Sequence, residues 1–380
     1  MEGGEQARAK VADQPMDCCF HPTCNLMAAA IITGKVQVFR CEGEAAVAAF
    51  DLAAHSDSCR AVRFTGDGAM LLSASADCSI LATDTASGTV AARLEDAHAD
   101  GINRLECVEG TILASGDDEG LVKLWDLRQR KAVGTLEAHS DFVSDFYYTP
   151  ERESLLSVSG DGTLVVTDLR TRKVAAQSEE DADDELLSVV VVKDGKKVVC
   201  GSQEGALFLY SWGYWNDCSD RFPGHPNSID AMVKFDEDTI ITGSSDGIIR
   251  IINILPNKLL GVVGEHADYP VECVALSGDR KLLASASHDN TVKIWDIAFL
   301  QEEGSDEECQ AEPTPEEAQV QKAAAAGDDS DMADSSDEAG SSAGKRRKGK
   351  GKHEKTKMKG KGRGKKAPGG SRGSFFADLL

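Results

Sequence analysis

Between residues 15 and 300 the chain repeats one pattern of apolar and polar positions. A short run in which apolar residues alternate with polar ones ends in a small polar turn, and a second alternating run follows. The copies are "SHDNTVKIWD" (287–296), "SSDGIIRIIN" (244–253), "SQEGALFLYS" (202–211), "SGDGTLVVTD" (159–168), "GDDEGLVKLWD" (116–126), "SADCSILATD" (75–84) and "ITGKVQVFR" (32–40). Alternation with period two marks strands that bury one face, and the β-branched content agrees. The residue just before each second strand falls at Asp289, Asp246, Glu204, Asp161, Glu119, Asp77 and Thr33, at intervals of 43, 42, 43, 42, 42 and 44. Within one unit, a strand ending in His139 is followed by "FVSDFYYT" (142–149), "SLLSVSG" (154–160) and "TLVVTDL" (163–169). Four strands per unit are therefore predicted, with Gly162 supplying the backbone freedom of the tight turn. One such sheet cannot bury both faces, whereas seven packed in a ring can. The pattern predicts an all-β, seven-bladed β-propeller over residues 15–300, and residues 5–13 are expected to supply the outer strand of the last blade.

The same residues resemble the WD40 repeat family. The resemblance rests on a histidine upstream of each turn (His55, His98, His139, His225, His266), the turn aspartate and complete Trp-Asp pairs at Trp125-Asp126 and Trp295-Asp296. Elsewhere the pair degenerates to Thr83-Asp84, Thr167-Asp168, Tyr210-Ser211 and Ile252-Asn253, Ala182 stands near the expected histidine of the fifth unit, and the first unit has no clear histidine. In WD40 propellers the His, Ser, Asp and Trp form a hydrogen-bonded relay inside each blade, which maps here onto His266, Ser287, Asp289 and Trp295. A serine, histidine and aspartate this close together invite a hydrolase reading. A constellation repeated around a ring is a fold element, however, and no GxSxG nucleophile elbow is present. No enzyme activity, cofactor or metal is expected.

Charge divides the chain further. Residues 1–300 carry a net of −22, residues 301–344 a net of −13 and residues 345–380 a net of +12. The acidic body repels phosphate backbones, so only the basic segment would attract RNA, weakly and in a salt-sensitive way. The eleven cysteines are scattered, with no CxxC pair, which fits small apolar fillers in a reducing compartment. No apolar run approaches 18 residues, so no membrane span is expected.

Beyond the repeats, "SDSCRAVRF" (56–64), "ADCSILATD" (76–84), "ASGDDEG" (114–120), "KKVVCGSQEGALFLYSWGYWNDCSDRF" (196–222), "TGSSDGIIRIINILPNKLLGVVGEH" (242–266) and "SFFADLL" (374–380) resemble the WD repeat-containing protein 55 family in its plant form. The resemblance implies a nuclear and nucleolar scaffold in ribosomal RNA processing and large ribosomal subunit biogenesis, with ribosome assembly factors as partners and a cytoplasmic pool as a further location. It also implies a link to cullin-4 ubiquitin ligases. Propellers that dock on the cullin-4 adaptor resemble one another in a Trp-Asp-x-Arg blade end. Here Trp125, Asp126 and Arg128 match it, and Asp168 with Arg170 matches it in part, because Thr167 replaces the Trp. An arginine just past a strand end can present its planar fork to an acidic or carbonyl partner; the alternative is a surface arginine paired with a neighbouring acid. The chain is expected to act as a monomer inside a larger complex.

The remaining segments are expected to divide at fixed points. Residues 1–14 form an N-terminal segment. Residues 301–344 are acidic, nearly free of large apolar residues and expected to be disordered. Ser305 and Ser335 stand three residues before Glu308 and Glu338, the spacing that acid-directed kinases favour. Residues 345–373 are basic, and Lys345, Arg346, Arg347 and Lys348 read as a nuclear targeting run. Residues 374–380 break the polar pattern, and Phe375, Phe376, Leu379 and Leu380 read as a docking peptide for an apolar groove.

Overall fold

The computed structural model describes residues 4–303 apart from 44, 109–110, 130 and 180–183. Among these, 28 strands numbered β1 to β28 in chain order form seven four-stranded antiparallel sheets. The innermost strands of blades 1 to 7 are β2 (Pro15–Phe20), β6 (Cys59–Phe64), β10 (Ile102–Val108), β14 (Val143–Thr149), β18 (Leu186–Val192), β22 (Ala231–Lys234) and β26 (Val271–Leu276). Each lies beside the innermost strand of the next blade, and β26 lies beside β2, so the ring is closed. This is the all-β, seven-bladed propeller that the repeat predicts.

Closure uses sequence-distant strands. β1 (Gly4–Lys10) pairs antiparallel with β28 (Thr291–Asp296) and becomes the outer strand of blade 7. Its buried Ala7 and Ala9, with Val11 just beyond, join one apolar cluster with Cys18, Met27 and Phe39 of blade 1 and Ile294 of blade 7. Every other blade junction has its own cluster: Ile241, Ile249, Val271, Leu283 and Trp295, for example, fill the junction of blades 6 and 7. Each fully buried Leu, Ile or Val contributes roughly 1.5–3 kcal/mol against exposure, so the seven junctions hold the ring together. Gly264 on blade 6 lets the Trp295 ring lie against the outer strand, where any Cβ would collide with it. Gly162 takes φ 75° in the turn of blade 4.

The innermost strands slip by one residue near their start in six blades, leaving Met16, Arg60, Asn103, Ser144, Leu187 and Glu272 outside the regular ladder. Adjacent positions then bond across blades. Arg104 Nε donates to Ser144 O, Ser188 Oγ donates to Ile229 O, and Val189 N donates to Asp145 Oδ2. At the seam, Asp17 of blade 1 accepts from Val62 N (2.9 Å) and Arg63 Nη1 (2.6 Å) of blade 2, and from Cys273 Sγ (3.0 Å) of blade 7.

α1 (Phe299–Glu303) ends the described region, with Phe299 and Leu300 packed against the junction of blades 6 and 7. Among the described residues no helix is long and apolar enough to cross a membrane. Cys18, Cys19, Cys41, Cys59 and Cys200 are buried as small fillers, and the buried Cys273 is the thiol that donates to Asp17.

Candidate functional site

The serine, histidine and aspartate sets are relays inside the blades. In blade 7, His266 Nδ1 lies 2.9 Å from Asp289 Oδ2 and Nε2 lies 2.7 Å from Ser285 Oγ. The same Ser285 oxygen accepts from Trp295 Nε1 at 2.8 Å. This corrects the assignment made from sequence: Ser285 is the relay serine, and Ser287 is not. Ser287 instead stands at the turn, with its Oγ 3.4 Å from Tyr269 O and 3.5 Å from Asp289 N. Blade 3 repeats the arrangement with His98, Ser115 and Trp125, but its acid is Asp117, 2.7 Å from His98 Nδ1. Glu119, the turn acid by spacing, is therefore displaced by the carboxylate two residues earlier.

Other blades keep fragments. His55 bonds Ser73, Ser79 and Asp77, and His139 bonds Ser157 and Thr163 beside Asp161. In blade 6 the acid is diverted: Asp246 pairs with Arg250 at 2.5 Å, and His225 keeps only Thr242, leaving its buried Nδ1 without a hydrogen bond. Burial, reinforced by the Arg250 charge, pushes the His225 imidazole down to about 4. In blade 5 Cys200 takes the serine position, and Ala182 lies outside the described residues. Apart from His225 Nδ1, these groups are buried and satisfied within their own blades, so they stabilise blades and offer no open nucleophile. Among the described residues, no three His, Cys, Asp or Glu side chains are grouped to hold a metal ion.

The rim residues fall into two unlike sets. Asp126 caps its turn by accepting from Arg128 N and Gln129 N, and Asp168 does the same for Arg170 N and Thr171 N. The side chains then differ. Arg170 Nε lies 3.2 Å from Glu153 and 3.8 Å from Asp168. Arg128 Nε donates to Thr111 Oγ1 at 3.2 Å, and among the described residues no carboxylate lies in ion-pair range of its guanidinium. Arg128 also borders a cavity of about 160 Å³ between blades 2 and 3, lined by Ala82, Ala92, Leu94 and Trp125 among others.

A third surface, at the mouth of the ring, comes from the slipped positions. Arg60 Nη1 bonds Asn103 Oδ1 (2.6 Å) and Asp118 Oδ1 (2.8 Å). Opposite in sequence, His288 Nε2 lies 2.5 Å from Glu272 and 2.7 Å from Gln14 Nε2. Asp230 stands in the segment before β22, with its buried Oδ2 without a hydrogen bond.

Comparison with known proteins places this geometry. The WDR55 family model matches residues 7–300, the whole propeller. The chain belongs to the WDR55 family. WD repeat-containing protein 55 of Arabidopsis thaliana is 50% identical over 285 residues, covering 74% of this chain and 80% of that protein. WD repeat-containing protein JIP5 of Coprinopsis cinerea is 39% identical over 314 residues (78% and 76%), and the Dictyostelium discoideum homolog 38% over 289 residues (76% and 70%).

In this WDR55-family propeller the structure brings Trp125, Asp126 and Arg128 together at one rim and Asp168 with Arg170 at the next. Lys345, Arg346, Arg347, Lys348, Phe375, Phe376, Leu379, Leu380, Ser305 and Ser335 lie outside the described residues. The mouth cluster escapes sequence reading because its members are scattered over strands and turns of several blades. Asp230 gives it a pH signature. Burial, with help from the nearby Glu272 charge, raises its carboxyl to about 6 from 3.8. The native state then binds this proton more tightly than the unfolded chain, so stability is lost as pH rises from 3.8 towards 6. Asp230→Asn is expected to raise stability at pH 7.5 by about 1 kcal/mol, a value discounted for partial solvent access, and to add almost nothing at pH 4. Thermal unfolding of both proteins at the two pH values checks this; an equal difference at both would refute it. His225 works in the opposite sense and loses stability as pH falls from 6.5 to about 4.

Proposed function

We propose that the protein is a non-enzymatic scaffold of the nucleus and nucleolus, acting in ribosomal RNA processing and large ribosomal subunit biogenesis. The family match over residues 7–300 supports this reading, because large-subunit assembly is what the resemblance to that family implies. Two physical features support it. The recurring polar sets are internal relays, which leaves the rims and the mouth as binding surface. The basic segment 345–366 gives an acidic body one place that attracts RNA phosphates and pre-ribosomal particles. Affinity capture of the full chain from ribonuclease-treated nuclear extract, with partners identified by mass spectrometry, tests the reading. Large-subunit assembly factors are the expected partners, together with accumulation of large-subunit rRNA precursors when the protein is depleted. Normal precursor levels after depletion would overturn it.

A second reading, substrate receptor of a cullin-4 ubiquitin ligase, is favoured by Arg128. Its guanidinium is exposed at a blade end without a carboxylate in range among the described residues, whereas Arg170 is already paired. Arg128→Ala with Arg170→Ala is expected to reduce capture of the ligase adaptor more than tenfold, with Arg128→Ala alone accounting for most of the loss. Unchanged capture by the double variant removes this reading.

A further inference from the structure

The junction of blades 2 and 3 carries a cleft lined mainly by apolar side chains, among them Leu72, Ile80, Leu94 and Leu113. Across strands, Ala82 pairs with Ala92 in blade 2. At the position of Ala82 the other blades carry Val38, Leu124, Val166, Leu209, Ile251 and Ile294. The missing branched side chain leaves a cavity of about 160 Å³, walled by Met70, Leu94 and the Trp125 ring. An apolar cavity of roughly 150 Å³ takes up one benzene ring in another protein, so this one has room for a single phenyl group. Its mouth carries the exposed side chains of Arg128 and Lys131. Asp67 and Asp126 also border it, but both carboxylates accept hydrogen bonds within their own turns.

We propose that this cleft is the seat of the chain's own segment 374–380, with one phenyl group of Phe375 or Phe376 in the cavity and Asp378 against Arg128 and Lys131. Three observations select this occupant. Residues 304–373 contain no Phe, Leu, Ile, Tyr or Trp, and then "SFFADLL" places two Phe and two Leu within seven residues. Asp378 can pair with Arg128 and Lys131, neither of which has a carboxylate in ion-pair range among the described residues. The reach is also sufficient. A flexible linker of that length spans roughly 45 Å root-mean-square, against a radius near 20 Å for a folded body of this size. The chain also leaves blade 7 at the equivalent rim: Ile297 N bonds Lys281 O just as Leu127 N bonds Thr111 O beside the cleft. Tethering supplies an effective concentration on the order of millimolar, so even a weak peptide site fills. The seated segment covers Arg128 and competes with any protein that docks there. The inference depends on neither reading of the protein's function.

The test uses a fluorescein-labelled peptide of residues 371–380 and fluorescence anisotropy. The full chain carrying Phe375→Ala and Phe376→Ala has its own segment disabled and is expected to bind the peptide. The unaltered chain should bind it at least tenfold more weakly, because its own segment competes. A peptide with both phenylalanines replaced by alanine should not bind. Adding Ala82→Leu, which fills the cleft, should abolish binding to the disabled chain. Absence of binding to the disabled chain, or equal binding by the two peptides, overturns the proposal even if Ala82→Leu fails to fold. Concentration-dependent dimers of the unaltered chain in sedimentation velocity, lost with the phenylalanines, also overturn it, because they would show the segment seated in a second copy.

Discussion

Asp17→Ala is expected to lower the unfolding free energy by about 3 kcal/mol and the melting temperature by roughly 5 °C. Asp17 is 1% exposed, and its two oxygens serve three blades at once. Alanine leaves the Arg63 guanidinium and the Val62 N–H without their acceptor, and removing one partner of a buried pair costs about 3–5 kcal/mol. The lower end applies because the Arg63 side chain is 25% exposed and keeps Glu106 at 3.6 Å. Asp17→Asn keeps an acceptor for Val62 N and should lose about half as much. Chemical denaturation of Asp17→Ala, Arg63→Ala and the double variant checks the argument. If the two single losses simply add, the pair does not act as a staple.

Ser285→Ala is expected to cost about 2–4 kcal/mol, and Ser287→Ala less than about 1 kcal/mol. Ser285 Oγ is the shared partner of two buried groups, Trp295 Nε1 and His266 Nε2, and alanine orphans both. Ser287 makes only long contacts of 3.4 and 3.5 Å at the turn, and little depends on it. Thermal unfolding separates the two readily. Equal losses would return the relay to Ser287.

These two serines also show what the sequence could and could not carry. The blades were legible, because alternation and a constant spacing repeat seven times and errors in one unit are corrected by the others. The relay was legible only to within two residues. In a strand, positions i and i+2 share a face, so "SASHD" offers Ser285 and Ser287 to the same side and only the register against Trp295 decides. Asp117 and Glu119 pose the same ambiguity in blade 3. Rim position was readable from Trp125-Asp126, but the difference between Arg128 and Arg170 depends on Glu153, which belongs to another turn. The cleft was hidden for a simpler reason: Ala82 reads as one more small strand residue until the two neighbouring blades are set side by side. The Asp17 staple joins residues 256 positions apart in sequence, and no local pattern announces it.

The pairing of β1 with β28 sets a clock on biosynthesis. At a translation rate of about 5–20 residues per second, roughly 15–60 seconds separate the emergence of Lys10 from that of Asp296. For that interval β1 has no partner to pair with, and the flank of blade 1 that later faces blade 7 stays uncovered. Nascent chains of this family should therefore be most prone to association with one another, and most dependent on chaperones, just before the seventh blade leaves the ribosome.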